Sequence, residues 1–188
     1  MQDEIHVSTG LWTEEGAEFL QAISETEVLV NTIYSACSQE MYQIASEAIN
    51  LLTYGNVLHK WHENVDLWVS CFSGIQVIVN RVTPAHRDTG GCAQAYDLLV
   101  SAGTHTSANI HIHDVQANMT YSPGTVVLVC GRVLRHEVST WHGGERICIA
   151  HYIHDNVHER LGLPRPDWVT IDTYRHFMEP LFQLRQGY

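Results

Sequence analysis

The sequence predicts an α+β protein, a helical first third followed by an antiparallel β barrel or sandwich. Three observations carry this. Apolar residues recur at steps of three and four before residue 55, short Val/Ile-rich runs follow from about residue 67, and glycine-bearing turns separate those runs. At 188 residues with 45% apolar and 16% charged side chains, the chain is long enough for one sizeable core.

The helical part opens at Thr13-Glu-Glu-Gly16, an imperfect capping box because Gly16 stands where Glu or Gln would close it. Thr26 then precedes Leu29, Ile33, Cys37, Met41, Ile44, Ala48 and Leu52, one stripe on a helix of about seven turns that ends at Gly55-Asn56. Strands are expected over Leu67–Phe72, Ile75–Val82, Ala95–Ser101, Ala108–Val115, Val126–Cys130, Val133–Val138 and Arg146–Ile153. Turns fall at Ser73-Gly74, Thr89-Gly-Gly91, Gly103, Ser122-Pro-Gly124, Gly131 and Gly143-Gly144. A short helix, Asn156–Leu161, and an aromatic-rich tail finish the chain. The expected layout is a single domain over 1–188: a helical cover (1–65), a β core (66–154), and a C-terminal helix and tail (155–188).

Charge is uneven. The chain carries 10 basic and 21 acidic residues, a net −11, and residues 1–80 hold Lys60 as their one basic side chain. The second half carries nine arginines and no lysine, which favours specific carboxylate or phosphate contacts over a diffuse cationic cloud. Five cysteines without paired spacing fit a reducing, intracellular compartment. No apolar run approaches the ~20 residues that span a bilayer, so no membrane partner is expected. No lysine-rich run marks nuclear import, although a 21.3 kDa protein is small enough to enter the nucleus passively.

The chemistry concentrates in His86-Arg87-Asp88. On extended backbone, residues two apart point the same way, so His86 and Asp88 can grip one ion. His136 follows on another strand and Arg146 begins the last one. Two imidazoles and a carboxylate leave coordination positions open, the pattern of non-haem Fe(II) oxygenases, whereas structural zinc sites take four ligands, often thiolates. Fe(II) with Asp88 carries +1, and 2-oxoglutarate (−2) with Arg146 (+1) brings the assembly to neutrality. A rival His111-x-His113 pair would need a third histidine and a carboxylate in register.

At these residues the chain resembles the Fe(II)/2-oxoglutarate dioxygenases with a double-stranded β-helix (jelly-roll) fold, and within them the Tet/JBP branch. The likeness spans roughly residues 75–168. It rests on Ala85-His-Arg-Asp-Thr-Gly-Gly91, Tyr96-Asp-Leu-Leu-Val100, Pro123-Gly124-Thr125, Gly131-Arg-Val-Leu-Arg-His136 and Gly143-Gly-Glu-Arg-Ile-Cys-Ile-Ala-His151. It implies His86, Asp88 and His136 as catalytic iron ligands and Arg146 for the distal carboxylate of 2-oxoglutarate. Cys148 stands where many members place Ser or Thr. Asn80 and Arg81 precede the metal motif. Arg81 is the candidate for the metal-side carboxylate of the cosubstrate, and Asn80 for substrate contact. His154 shares strand parity with Arg146 and is the candidate for hydrogen-bonding a substrate base, while His151 should point away. Trp141, Trp168 and Tyr121 are candidates for stacking on a base.

The resemblance implies oxidation, with dioxygen, of a methyl group on a nucleobase. 5-Methylcytosine in DNA is the first expectation and N6-methyladenine the second. The same chemistry on a protein side chain or small metabolite, and a non-catalytic metal-binding β-barrel module, are the alternatives. With a net charge of −11, affinity for methylated DNA must come from local arginines, with Arg81, Arg87, Arg132, Arg135, Arg160 and Arg165 as candidates.

Overall fold

A computed structural model describes residues 6–55, 57–58 and 62–174. Helix α1 (Glu14–Cys37) begins where Thr13 accepts a hydrogen bond from the Gly16 N–H, with Glu14 and Glu15 in its first turn against the positive end of the helix. It runs straight through Thr26 and stops at Ser38, whose extended backbone breaks the helix and whose hydroxyl caps α2 (Gln39–Tyr54) by accepting from the Met41 N–H. The expected single stripe is therefore two helices. Its first half is also rotated. Leu20, Glu27, Val30 and Tyr34 face inward, while Leu29 is 59% exposed.

Among the described residues, eight antiparallel strands form two four-stranded sheets. The major sheet has the order β1 (Gly74–Val79), β8 (Arg146–Tyr152), β3 (Asp97–Gly103), β6 (Val126–Val129). The minor sheet has the order β2 (Thr83–His86), β7 (His136–Val138), β4 (Asn109–Ile112), β5 (Ala117–Thr120). This is the α+β jelly roll expected, with corrections at particular strands. Leu67–Phe72 is no strand, because the Asn31 side chain bonds its backbone at Val69 O and Cys71 N in place of a ladder. The edge strands β2 and β5 escape the sequence pattern: β2 contains Pro84, which an edge tolerates, and β5 is mostly exposed. The β7 strand is shortened because Val133 and Leu134 donate to Cys130 O in a turn.

Residue alternation sorts the layers. Leu98 packs with Val30, Tyr34 and Ala45 between helices and major sheet, whereas its neighbour Leu99 joins Ile110, Tyr121 and Val138 inside the roll. One polar contact crosses the first layer. Glu27 Oε1 lies 2.9 Å from His151 Nε2, and His151 Nδ1 donates to Leu98 O, with both side chains 2% exposed or less. Helix α3 (Asp155–Leu161) follows β8, and the expected tail over 175–188 lies outside the described residues. No helix among the described residues is long and apolar enough to cross a membrane.

Candidate metal and cosubstrate site

His86 ends β2 and His136 begins β7, and the two are directly paired across the minor sheet. Their ring centroids are 4.4 Å apart. Asp88, two residues past His86, places Oδ1 3.4 Å from His86 Nε2 and Oδ2 3.6 Å from His136 Nε2. One ligand atom from each of the three lies within 4.8 Å of the others, and among the described residues no other such group exists. The rival His111/His113 pair is thereby set aside; His113 instead faces Glu137 at 3.4 Å.

The donor set fits a divalent ion. His86 Nδ1 donates to Pro84 O (2.8 Å) and His136 Nδ1 to Leu134 O (2.9 Å). Those bonds put the proton of each neutral ring on Nδ1 and turn a bare Nε2 lone pair toward Asp88. Two lone pairs facing carboxylate oxygens with no proton between them repel, and a cation in their midst turns that repulsion into ligation.

Arg146 stands in the cavity wall at the start of β8, 1% exposed. Gly143 and Gly144, both at positive φ (53° and 66°), turn the chain so that it returns there. Its guanidinium lies 5.6 Å from the Tyr121 ring centroid and 5.7 Å from that of Trp141; Nη1 donates to Arg81 O, and Nε is buried without a partner. A buried cation with an unused donor and no carboxylate against it calls for an anion.

The cavity joining these groups measures about 300 Å³. Arg146, Cys148, Ala150 and Tyr152, alternate residues of β8, line it together with His151, with His154 just past the strand and with Arg81. His154 donates from Nδ1 to Gly90 O and meets the Tyr152 ring edge-on at 4.9 Å. The His151 ring nitrogens are engaged by Glu27 Oε1 and Leu98 O. Cys148 Sγ lies 3.5 Å from Tyr121 OH, and burial pushes the thiol up from its usual range.

Asn80 does something else. It sits at φ 50°, accepts from the Arg146 N–H through Oδ1, donates its own N–H to Arg146 O, and does not line the cavity. Its side chain and backbone together clamp the Arg146 backbone. The stacking candidates move as well. Tyr121 is fully buried and Trp141 packs against the core and Arg146, so among the described Phe, Tyr and Trp residues only Tyr152 lines the cavity. Its parity with Arg146 was the available signal.

Asp97 is the residue that sequence reasoning missed. It opens β3, is 7% exposed and lines the same cavity; burial, with the Asp88 charge second, pushes its carboxyl up to about 7. In the metal-free protein this makes stability fall as pH rises. The native state keeps a proton that the unfolded chain releases near 4, so between about 4 and 7 the unfolded state binds fewer protons. The whole effect is on the order of a few kcal/mol. Asp97→Asn should flatten that decline in a urea-unfolding series across this window, and an unchanged slope would contradict it.

Gly131 is required by close approach. A Cβ there would collide with carboxylate oxygens of both Asp88 and Asp97. Gly131→Ala is expected to weaken Fe(II) binding by about 10–100-fold, the usual effect of disturbing a ligand's support. Competition with a chelator reads this directly.

A jelly roll with two imidazoles, one carboxylate and a buried arginine on one cavity defines an oxygenase of the 2-oxoglutarate/Fe(II) class. A family model for Tet_JBP, the oxygenase domain of that superfamily, matches residues 8–155, and the chain belongs to this family. Among solved structures, the chain is similar to NgTET1 in complex with 5mC DNA, with a TM-score of 0.63 and 15% identity. The match covers 93% of this chain and 63% of that one, so this chain spans less than two thirds of its length. No curated protein matches.

Proposed function

We propose that this chain is an Fe(II)- and 2-oxoglutarate-dependent dioxygenase that oxidises a methyl group on a nucleobase, 5-methylcytosine in DNA before N6-methyladenine. The observation that carries the chemistry is the convergence of His86, Asp88 and His136 on one cavity with Arg146. The nucleobase is supported by membership of the Tet/JBP family and by a shared fold with a protein solved on 5mC DNA.

In this reading His86 Nε2, Asp88 and His136 Nε2 hold the iron, Arg146 takes the distal carboxylate of 2-oxoglutarate, and Arg81 is placed for the other. When bound, the pair converts a C–H bond to C–OH with dioxygen, yielding succinate and carbon dioxide. The protein's share is positioning. The Nδ1 bonds fix both imidazoles, Tyr152 offers a ring face or edge to a base, and His154 presents Nε2 while Nδ1 is committed to Gly90. A base inside a duplex must be extruded to reach such a cavity, which costs a few kcal/mol that backbone contacts offset.

Nucleoside mass spectrometry after incubation with Fe(II), 2-oxoglutarate and methylated duplex DNA tests the proposal. Hydroxymethylated base together with succinate is the expected result. Succinate formation that methylated DNA never stimulates would move the reading to a protein or metabolite substrate, which the strongly acidic first half would suit.

A further inference from the structure

The arginines of the second half are not equivalent. Arg87 is spent on the far side of the metal loop, donating to Asp114 and to Val133 O. Arg132 and Arg165 converge on one carboxylate beside the cavity. Arg165 Nε donates to Asp155 Oδ1 at 2.7 Å, and Arg132 Nη1 lies 3.7 Å from Asp155 Oδ2 while donating to Gly91 O at 2.9 Å. Two guanidinium groups share the Asp155 carboxylate, with Glu159 a further anionic neighbour of Arg165. Arg132 Nε and Nη2 and both terminal nitrogens of Arg165 are not engaged in those contacts.

This pair stands on the rim of the cavity. Gly90, Gly91 and His154 line it, Asp155 N–H and His154 Nδ1 both donate to Gly90 O, and Cys92 N–H donates to Ile153 O. The loop after Asp88 and the end of β8 are thus stitched together, with Arg132 and Arg165 on the outside at 41% and 37% exposure.

We propose that Arg132 and Arg165, gathered by Asp155 at the cavity rim, form a clamp for a phosphodiester of the polynucleotide whose base enters the cavity. The inference rests on the nucleobase reading above. Guanidinium forks match phosphate oxygens bidentately, and held guanidiniums lose less freedom on binding than loose ones. Asp155 supplies that hold and keeps the two cations together against their mutual repulsion. In a chain of net −11, such a rim directs a polyanion to this edge and away from the acidic helices.

The test pairs protein and ligand changes. Binding of the full chain is measured for a duplex carrying one 5-methylcytosine, and for its twin with uncharged methylphosphonates flanking that nucleotide. Wild type should lose about tenfold in affinity for the twin, whereas Arg132→Gln/Arg165→Gln should bind both alike, at the weakened level. The double variant should also lower the slope of log affinity against log salt by about one or more. Because Arg132 also braces the metal loop through Gly91, Arg165→Gln alone serves as the second variant and should show a partial form of the same loss. Variants that bind as tightly as wild type, or that keep the full methylphosphonate effect, overturn the clamp and leave the nucleobase reading standing. A wild type that binds no methylated or unmethylated duplex overturns both.

Discussion

Asp88→Ala is expected to abolish metal-dependent succinate formation and to weaken Fe(II) binding by more than the roughly 10–100-fold that loss of an outer-shell partner produces. Asp88 is the only anionic member of the three, so its removal takes away both a ligand and the charge that offsets the ion. The stability of the metal-free protein separates this from general damage. Without metal, the Asp88 oxygens face the Nε2 lone pairs of His86 and His136 at 3.4 and 3.6 Å. Asp88 is 39% exposed, so its loss should change the melting temperature of the metal-free protein little. Added Fe(II) under anaerobic conditions should raise the melting temperature of wild type alone. A variant that still gains stability from Fe(II) would refute the assignment.

Arg146→Met is the second large effect. Methionine fills much of the same volume without charge, which avoids confusing lost packing with lost recognition. Each charge-assisted hydrogen bond to the cosubstrate carboxylate is worth roughly 1.5–3 kcal/mol, so losing two should raise the half-saturating 2-oxoglutarate concentration by about a hundredfold or more. Fe(II) affinity should stay near wild type, because Arg146 is not among the three grouped donors. Without ligands the variant should be as stable as wild type or more so, since a buried cation with an orphaned Nε is gone. Arg146→Lys, which keeps charge but not the planar fork, should fall between the two. Cosubstrate dependence unaltered in Arg146→Met would remove the arginine from the site.

The parts of this site that could be read from sequence are those fixed by local geometry. His86 and Asp88 share a face because they are two apart on extended backbone, and β8 alternates from Arg146 to Tyr152 without a bulge, so parity put Arg146, Cys148, Ala150 and Tyr152 on the cavity. What could not be read depends on distant partners. Glu27 occupies the buried stripe of α1 because His151 waits 124 residues away, and a pattern built on hydrophobicity counts the exposed Leu29 instead. Asn80 takes a left-handed conformation because Arg146 supplies hydrogen bonds to both its backbone and its side chain. Asp97 looks like any strand-opening acid until Gly131 and Asp88 are seen around it. The break at Ser38 is a single capping residue inside a run that otherwise keeps helical spacing.

The Glu27–His151 contact has a consequence for how the molecule comes apart. Peeling α1 from the sheet would strand an acid and an imidazole without each other inside an oily layer, so the first helix cannot fray independently of the strand that carries the arginine. Amide protons of α1 around Glu27 and those of β8 around His151 should then exchange with solvent as one cooperative unit. A fragment trimmed to the β-roll alone would begin life with the helical partner of His151 missing and its catalytic strand unmoored.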